Sequence, residues 1–123
     1  MVDLSKDGII TLSRGDTVQF PIFLNTGSDL EPVRYDLLEY DELYMAIMEP
    51  NQPFENAIVK KKFTMNSPKD QNGLTIIRLN HDDTKCLLPD KYFYQIKLRK
   101  YNELYQDYDV MTVVDKTLFW IQE

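Results

Sequence analysis

The side chains of this chain that could do chemistry are few. Its one histidine, His81, stands beside Asp82 and Asp83, and its one cysteine, Cys86, follows close behind. An imidazole next to a carboxylate can act as a general base, and a thiol near an imidazole can act as a nucleophile once its pKa is lowered. Here there is no second ligand cluster and no glycine-bearing calcium-loop spacing, so His81 to Thr84 reads as a solvated acidic turn. Cys86, followed by Leu87 and Leu88, reads as a small buried apolar residue at a strand end. No serine sits in a nucleophile elbow, and neither a phosphate-cradling glycine loop nor a paired-carboxylate pattern is recognisable. The expectation is a protein with no enzymatic activity, no cofactor and no metal.

Residues suited to recognition are easier to find. Tyrosine offers a large contact area with a hydrogen-bonding tip and loses little rotamer freedom, which enriches it where proteins meet. Tyr101, Tyr105 and Tyr108 lie among Glu103, Asp107 and Asp109 in a segment that reads as a hairpin tip. Two readings stand for it. Tyr101, Tyr105, Asp107 and Tyr108 form an acidic aromatic knob that contacts a partner, or the tyrosines fold back over the end of the molecule. A second candidate is Lys60, Lys61 and Lys62, inside an otherwise strand-like run from Ala57 to Thr64. Their charge protects an edge strand from unwanted pairing, or meets an acidic surface of a neighbouring copy. Arg14, Gly15 and Asp16 spell the tripeptide that integrins read when a hairpin tip displays it, but Gly and Asp are also what a tight turn requires.

Composition narrows the field of partners. With 123 residues, 43% hydrophobic and 28% charged, the chain reads as a single domain over 1–123 that can bury a sizeable core. Fourteen basic residues against 20 acidic ones give a net charge of −6, which repels phosphate backbones and anionic headgroups. Nucleic acid and membrane are therefore not expected as partners. No apolar run approaches the roughly 18 residues of a membrane span, and the polar start lacks the pattern of a secretory signal. A lone cysteine forms no internal disulfide, which suits a reducing cytoplasm.

The elements that must position these residues are short alternating runs broken by turns. Gly8 to Leu12 reads as a first strand and Ser13 to Asp16 as the turn after it, with Gly15 free to take a positive φ. Thr17 to Asn25 alternates Val18, Phe20, Ile22 and Leu24 on one face, and Pro21 implies a free edge or a bulge. Residues 36–48 are ambiguous. Asp36 and Glu39 resemble a helix capping box, while Tyr35 to Leu38 and Leu43 to Met48 could be two strands flanking a turn at Tyr40 to Glu42; the strand reading agrees with the neighbouring elements. Leu74 to Leu79, Tyr92 to Arg99, Val110 to Val114 and Leu118 to Ile121 complete the set. Pro89 and Asp90 feed directly into Tyr92, Tyr94, Ile96 and Leu98, and an aromatic just after such a turn can return its hydroxyl to the backbone upstream. The count of seven to nine strands predicts an all-β fold, an antiparallel immunoglobulin-like Greek-key β-sandwich.

The run Arg14 to Thr17 before an alternating strand, Tyr35 and Leu37 before Asp41 and Leu43 to Ile47, the Leu88, Tyr92, Tyr94, Ile96, Leu98 pattern and Thr112 to Val114 together resemble small immunoglobulin-like phage and prophage proteins. The chain is similar to the N-terminal domain of phage baseplate upper proteins and to related tail or head-fibre modules. That resemblance implies a non-enzymatic virion subunit, made in the bacterial host cytoplasm, that docks other virion proteins and possesses a surface for homo-oligomers. A head-decoration or head-fibre subunit and a carbohydrate- or host-surface-binding module are the alternatives it leaves open.

Overall fold

The computed structural model describes residues 7–28 and 30–123, together with the backbone of Asp3 and Leu4. Among the described residues there are eight strands: β1 (Asp3–Leu4), β2 (Ile10–Ser13), β3 (Val18–Pro21), β4 (Glu42–Met48), β5 (Val59–Phe63), β6 (Ile76–Leu79), β7 (Asp90–Asn102) and β8 (Asp107–Gln122). One turn of helix, α1 (His81–Lys85), joins β6 to β7. The strands form a six-stranded sheet in the order β1-β2-β8-β7-β4-β5 and a two-stranded sheet of β3 and β6. The fold is therefore all-β, as the alternation of the sequence implies.

A single apolar cluster unites the two sheets. Leu43, Met45 and Ile47 of β4 and Tyr92, Tyr94, Ile96 and Leu98 of β7 meet Val18 of β3 and Ile77 and Leu79 of β6. These are the alternate residues of each strand, because successive side chains of a strand point to opposite faces. β4 is a strand, as the strand reading of residues 36–48 requires, but the turn before it falls at Glu39 and Tyr40 rather than Tyr40 to Glu42, because Glu42 already pairs with Arg99 in the ladder. The first half of that reading fails: Tyr35 to Leu38 is not a strand, because the chain there is held by Asp41 rather than by a ladder.

Tyr92 behaves as its position after the Pro-Asp turn implies. Its ring is buried and its Oη donates to the Leu88 carbonyl at 2.8 Å, locking the corner at which the chain enters β7. Two residues on, the Tyr94 hydroxyl donates to the Gly8 carbonyl. Gly8 sits at φ 83°, and a Cβ there would lie 3.1 Å from the Tyr94 hydroxyl, so both the backbone and the contact call for glycine.

Four expectations need correction. First, not every pair is antiparallel: β2 runs parallel to β8, with Ile10 opposite Phe119. No hairpin joins these two strands, and a parallel neighbour is available to a segment that arrives from the far end of the chain. Second, Val110 to Val114 and Leu118 to Ile121 belong to one strand, β8, whose register slips opposite Gln95. The Asp115 region is thus a bulge, where Asp115 Oδ1 accepts from Gln95 Nε2 at 3.3 Å, and not a turn. Third, His81 to Thr84 is helical, since Asn80 and Asp83 cap the backbone reciprocally. Fourth, Cys86 is exposed. The helical turn sends Thr84 and Leu87 inward, three residues apart on one face, and leaves Cys86 on the other.

β4 also shows burial on both faces, with Ala46 and Met48 as inaccessible as Met45 and Ile47. The segment between β4 and β5, which includes a 3₁₀ turn at Phe54–Asn56, lies over the outer side of the six-stranded sheet. It is held there by Ile58 N–H on the Ile47 carbonyl at 2.8 Å and by Lys116 Nζ on the Gln52 carbonyl at 3.1 Å.

Candidate functional site

The β7–β8 hairpin carries the tyrosine-rich segment. Tyr101 faces Tyr108 and Asn102 faces Asp107, so pairing persists to the last turn, and only 103–106 close the loop. Asn102 organises that loop: its Oδ1 accepts from Leu104 N at 3.0 Å and Tyr105 N at 3.3 Å, and its Nδ2 donates to Asp109 at 3.2 Å. Gln106 completes the turn at φ 52°. The result is a braced tip from which Leu104 and Tyr105 project, 83% and 75% exposed.

The two readings of this segment divide along the hairpin. Tyr101 and Tyr108 do pack back, ring to ring at 5.4 Å edge-on, and the Arg99 guanidinium lies 4.3 Å above the Tyr108 ring. Tyr105 and Asp107 stand at the exposed tip. A fourth aromatic, Tyr40, was not among the residues the sequence singled out. It comes from the β3–β4 connection and sets its ring 5.6 Å from that of Tyr101.

Tyr40 holds φ 73°, a left-handed conformation rare for an aromatic, and the next residue supplies the reason it is tolerated. Asp41 is buried, and its carboxylate accepts from Leu38 N at 2.9 Å, from Tyr101 N at 3.1 Å and from the Tyr35 hydroxyl. Burial pushes the Tyr35 phenol pKa up, and its bond to the Asp41 carboxylate adds to the shift. Asp41 thus fastens the β3–β4 connection to the root of the hairpin. The signal in the sequence was the acidic turn itself, but nothing there says which strand the carboxylate will meet.

A cleft of about 270 Å³ is lined by Leu38 to Glu42, Thr64 to Asn66 and Tyr108, so the β3–β4 and β5–β6 connections converge on β8 at this end of the molecule. Exposed Leu38 and Tyr40 and the acidic Glu39 also line a neighbouring cleft, together with Tyr101 and Glu103. The surface is aromatic, acidic and rigidly supported.

The lysines of β5 lie at the edge of the six-stranded sheet, and each is engaged within the chain. Lys61 meets Asp83 at 3.1 Å and Lys62 meets Glu42 at 3.5 Å, while Glu42 also holds Arg99 at 3.1 Å. Lys60 lies over the rings of Phe54, at 4.7 Å, and Tyr44, at 5.4 Å. Lys97 of β7 approaches Phe54 from the same cleft at 4.8 Å. This cleft, about 230 Å³, is lined by Tyr44, Phe54, Glu55, Lys60, Lys97 and Arg99, with Val110 at its rim.

The other residues with chemical potential are not drawn into a site. His81 is exposed and turns Nδ1 toward Asp82 at 3.3 Å, and Cys86 Sγ contacts the Asp82 carbonyl at 3.0 Å. Arg14 donates to the Lys85 carbonyl at 2.9 Å, and Asp16 accepts from Ser13 N at 3.0 Å. Arg14 to Asp16 therefore form a crossing between the two sheets rather than a hairpin tip. Among the described residues no three His, Cys, Asp or Glu side chains are grouped to hold a metal, and no helix is long and apolar enough to cross a membrane.

No protein-family model matches the chain, and neither a curated protein nor a solved structure matches it.

Proposed function

We propose that this chain is an immunoglobulin-like β-sandwich module without enzymatic activity that works by docking other proteins, as a structural or adaptor subunit of a phage tail, baseplate or fibre. The strand order supports the immunoglobulin part. β8, β7, β4 and β5 stand side by side as do strands G, F, C and C′ of a variable-type domain, with β3 and β6 in the opposing sheet. The Tyr92 hydroxyl on the Leu88 carbonyl reproduces the tyrosine corner of such domains. In that scheme the β3–β4 and β7–β8 connections occupy the recognition end.

One observation carries the docking role: a hairpin tip that leaves Leu104 and Tyr105 exposed while Asn102, Asp41 and the Tyr40, Tyr101, Tyr108 rings brace it. Rigid exposed aromatic and aliphatic side chains lose little entropy on binding, which is what a contact anchor needs. The virion setting follows from the resemblance to phage immunoglobulin-like proteins. Purified particles from an induced producing culture, separated into heads and tails and analysed by peptide mass spectrometry, provide the test. Stoichiometric peptides of this chain in the tail fraction are expected; peptides confined to heads would favour a decoration subunit, and their lack in all particles would refute the assignment.

Exposed Tyr40 beside Glu39 and Glu103 also suits a sugar ring, which stacks on an aromatic face and bonds to carboxylates. Binding on a glycan array that Y40A abolishes would establish this second reading.

A further inference from the structure

The outer face of the six-stranded sheet changes sign along its length. At its middle, Lys60 and Lys97 share the ring of Phe54, and neither forms an ion pair with any described residue. That is unexpected in a chain with 20 carboxylates against 14 basic groups. At the end of the same hairpin, exposed Glu103 precedes the projecting Leu104 and Tyr105, whereas Asp107, opposite Asn102, alternates to the other face from Lys97. Glu55 also lines the cleft but pairs with neither lysine, and Glu42 is taken by Lys62 and Arg99. β7 stays paired with β8 through Asn102 and Asp107, so Glu103 is held about 20 Å along the strand from Lys97.

We infer that this face is an isologous interface between two copies of the chain, packed antiparallel so that the tip of each seats in the Phe54 cleft of the other. The inference rests on the docking reading and names its partner. A two-fold axis applies each contact twice, and a face that runs from basic to acidic is self-complementary only when its partner runs the other way. Leu104 and Tyr105 supply the apolar anchors, and Tyr44, Phe54 and the exposed Val110 supply the apolar floor. Glu103 then meets Lys60 and Lys97. A polyanion is a poorer occupant, because the net charge of −6 repels it at long range.

The test is the mass in solution by size-exclusion with light scattering, at about 0.05 M and about 0.5 M salt, where screening lengths differ by a factor of about three. A dimer is expected at low salt that weakens at least about tenfold at high salt. The pair K60E/K97E and the single change E103K should each be monomeric, with circular dichroism showing native folding. Mixed together they should form a heterodimer, since the reversed charges again face their opposites. A monomer under all conditions overturns the inference, as does a dimer indifferent to both variants or a mass above the dimer. Such a result leaves the docking reading to the particle analysis, which does not depend on self-association.

Discussion

Asp41 Oδ1 accepts the backbone N–H of Tyr101 at 3.1 Å, joining residues 60 positions apart. The same carboxylate takes the Leu38 N–H and the Tyr35 hydroxyl, so one side chain sets the position of Tyr40 and of the hairpin root together. The aromatic end of the molecule depends on that junction.

Removing the carboxylate should therefore cost more than a surface change. D41A leaves three donors without their acceptor and is expected to destabilise by about 2–4 kcal/mol in denaturant unfolding. D41N keeps one acceptor oxygen and should lose less. In both, the near-ultraviolet circular dichroism of the tyrosines should fall as Tyr40 leaves Tyr101.

The corner at Tyr92 makes a smaller, separable contribution. Y92F keeps the buried ring and removes only the hydroxyl on the Leu88 carbonyl. The expected loss is about 1 kcal/mol, read as a lower denaturant midpoint with an unchanged slope. An unaltered midpoint would mean that water replaces the bond at no cost.

High pH should unfold the protein through its phenols. Tyr35, Tyr92 and Tyr94 have pKa values raised above the usual 10.0, in each case first by burial, with Asp41 adding at Tyr35 and Asp90 and Glu49 at Tyr92. Above that pH the unfolded chain has released these protons and the folded chain still holds them, so stability is full below it and falls as pH rises. Phenolate absorbance and loss of β-sheet circular dichroism should rise together in an alkaline titration. Y94F should flatten the dependence.

Cys86 is exposed, so a thiol reagent should modify it in the native protein without denaturant. C86S should leave stability within about 0.5 kcal/mol, as for a surface position. Slow modification that needs unfolding would place the thiol inside instead.

What was legible in the sequence is what alternation encodes. Leu43, Met45 and Ile47, and Tyr92, Tyr94, Ile96 and Leu98, face the core because their strands are amphipathic at period two. Gly15 takes φ 87°, and Pro21 lies in a strand that, among the described residues, pairs with β6 alone, as its missing N–H allows. The hairpin at 103–106 and the edge position of Lys60 to Lys62 were visible for the same local reasons. Cys86 and His81 misled because a single helical turn has too few residues to show a period; its caps, Asn80 and Asp83, were the available signal.

The sequence by itself thus determined the all-β character and the apolar face of strands such as β4 and β7, since these are properties of neighbouring residues. Tertiary structure alone decided that β2 lies parallel to β8, that the 49–58 segment covers Ala46 and Met48, and that Tyr40 meets Tyr101 through Asp41. Those are contacts between residues far apart in the chain. They are selected by the packing and hydrogen-bond satisfaction of the whole core, and no local pattern specifies such a partner.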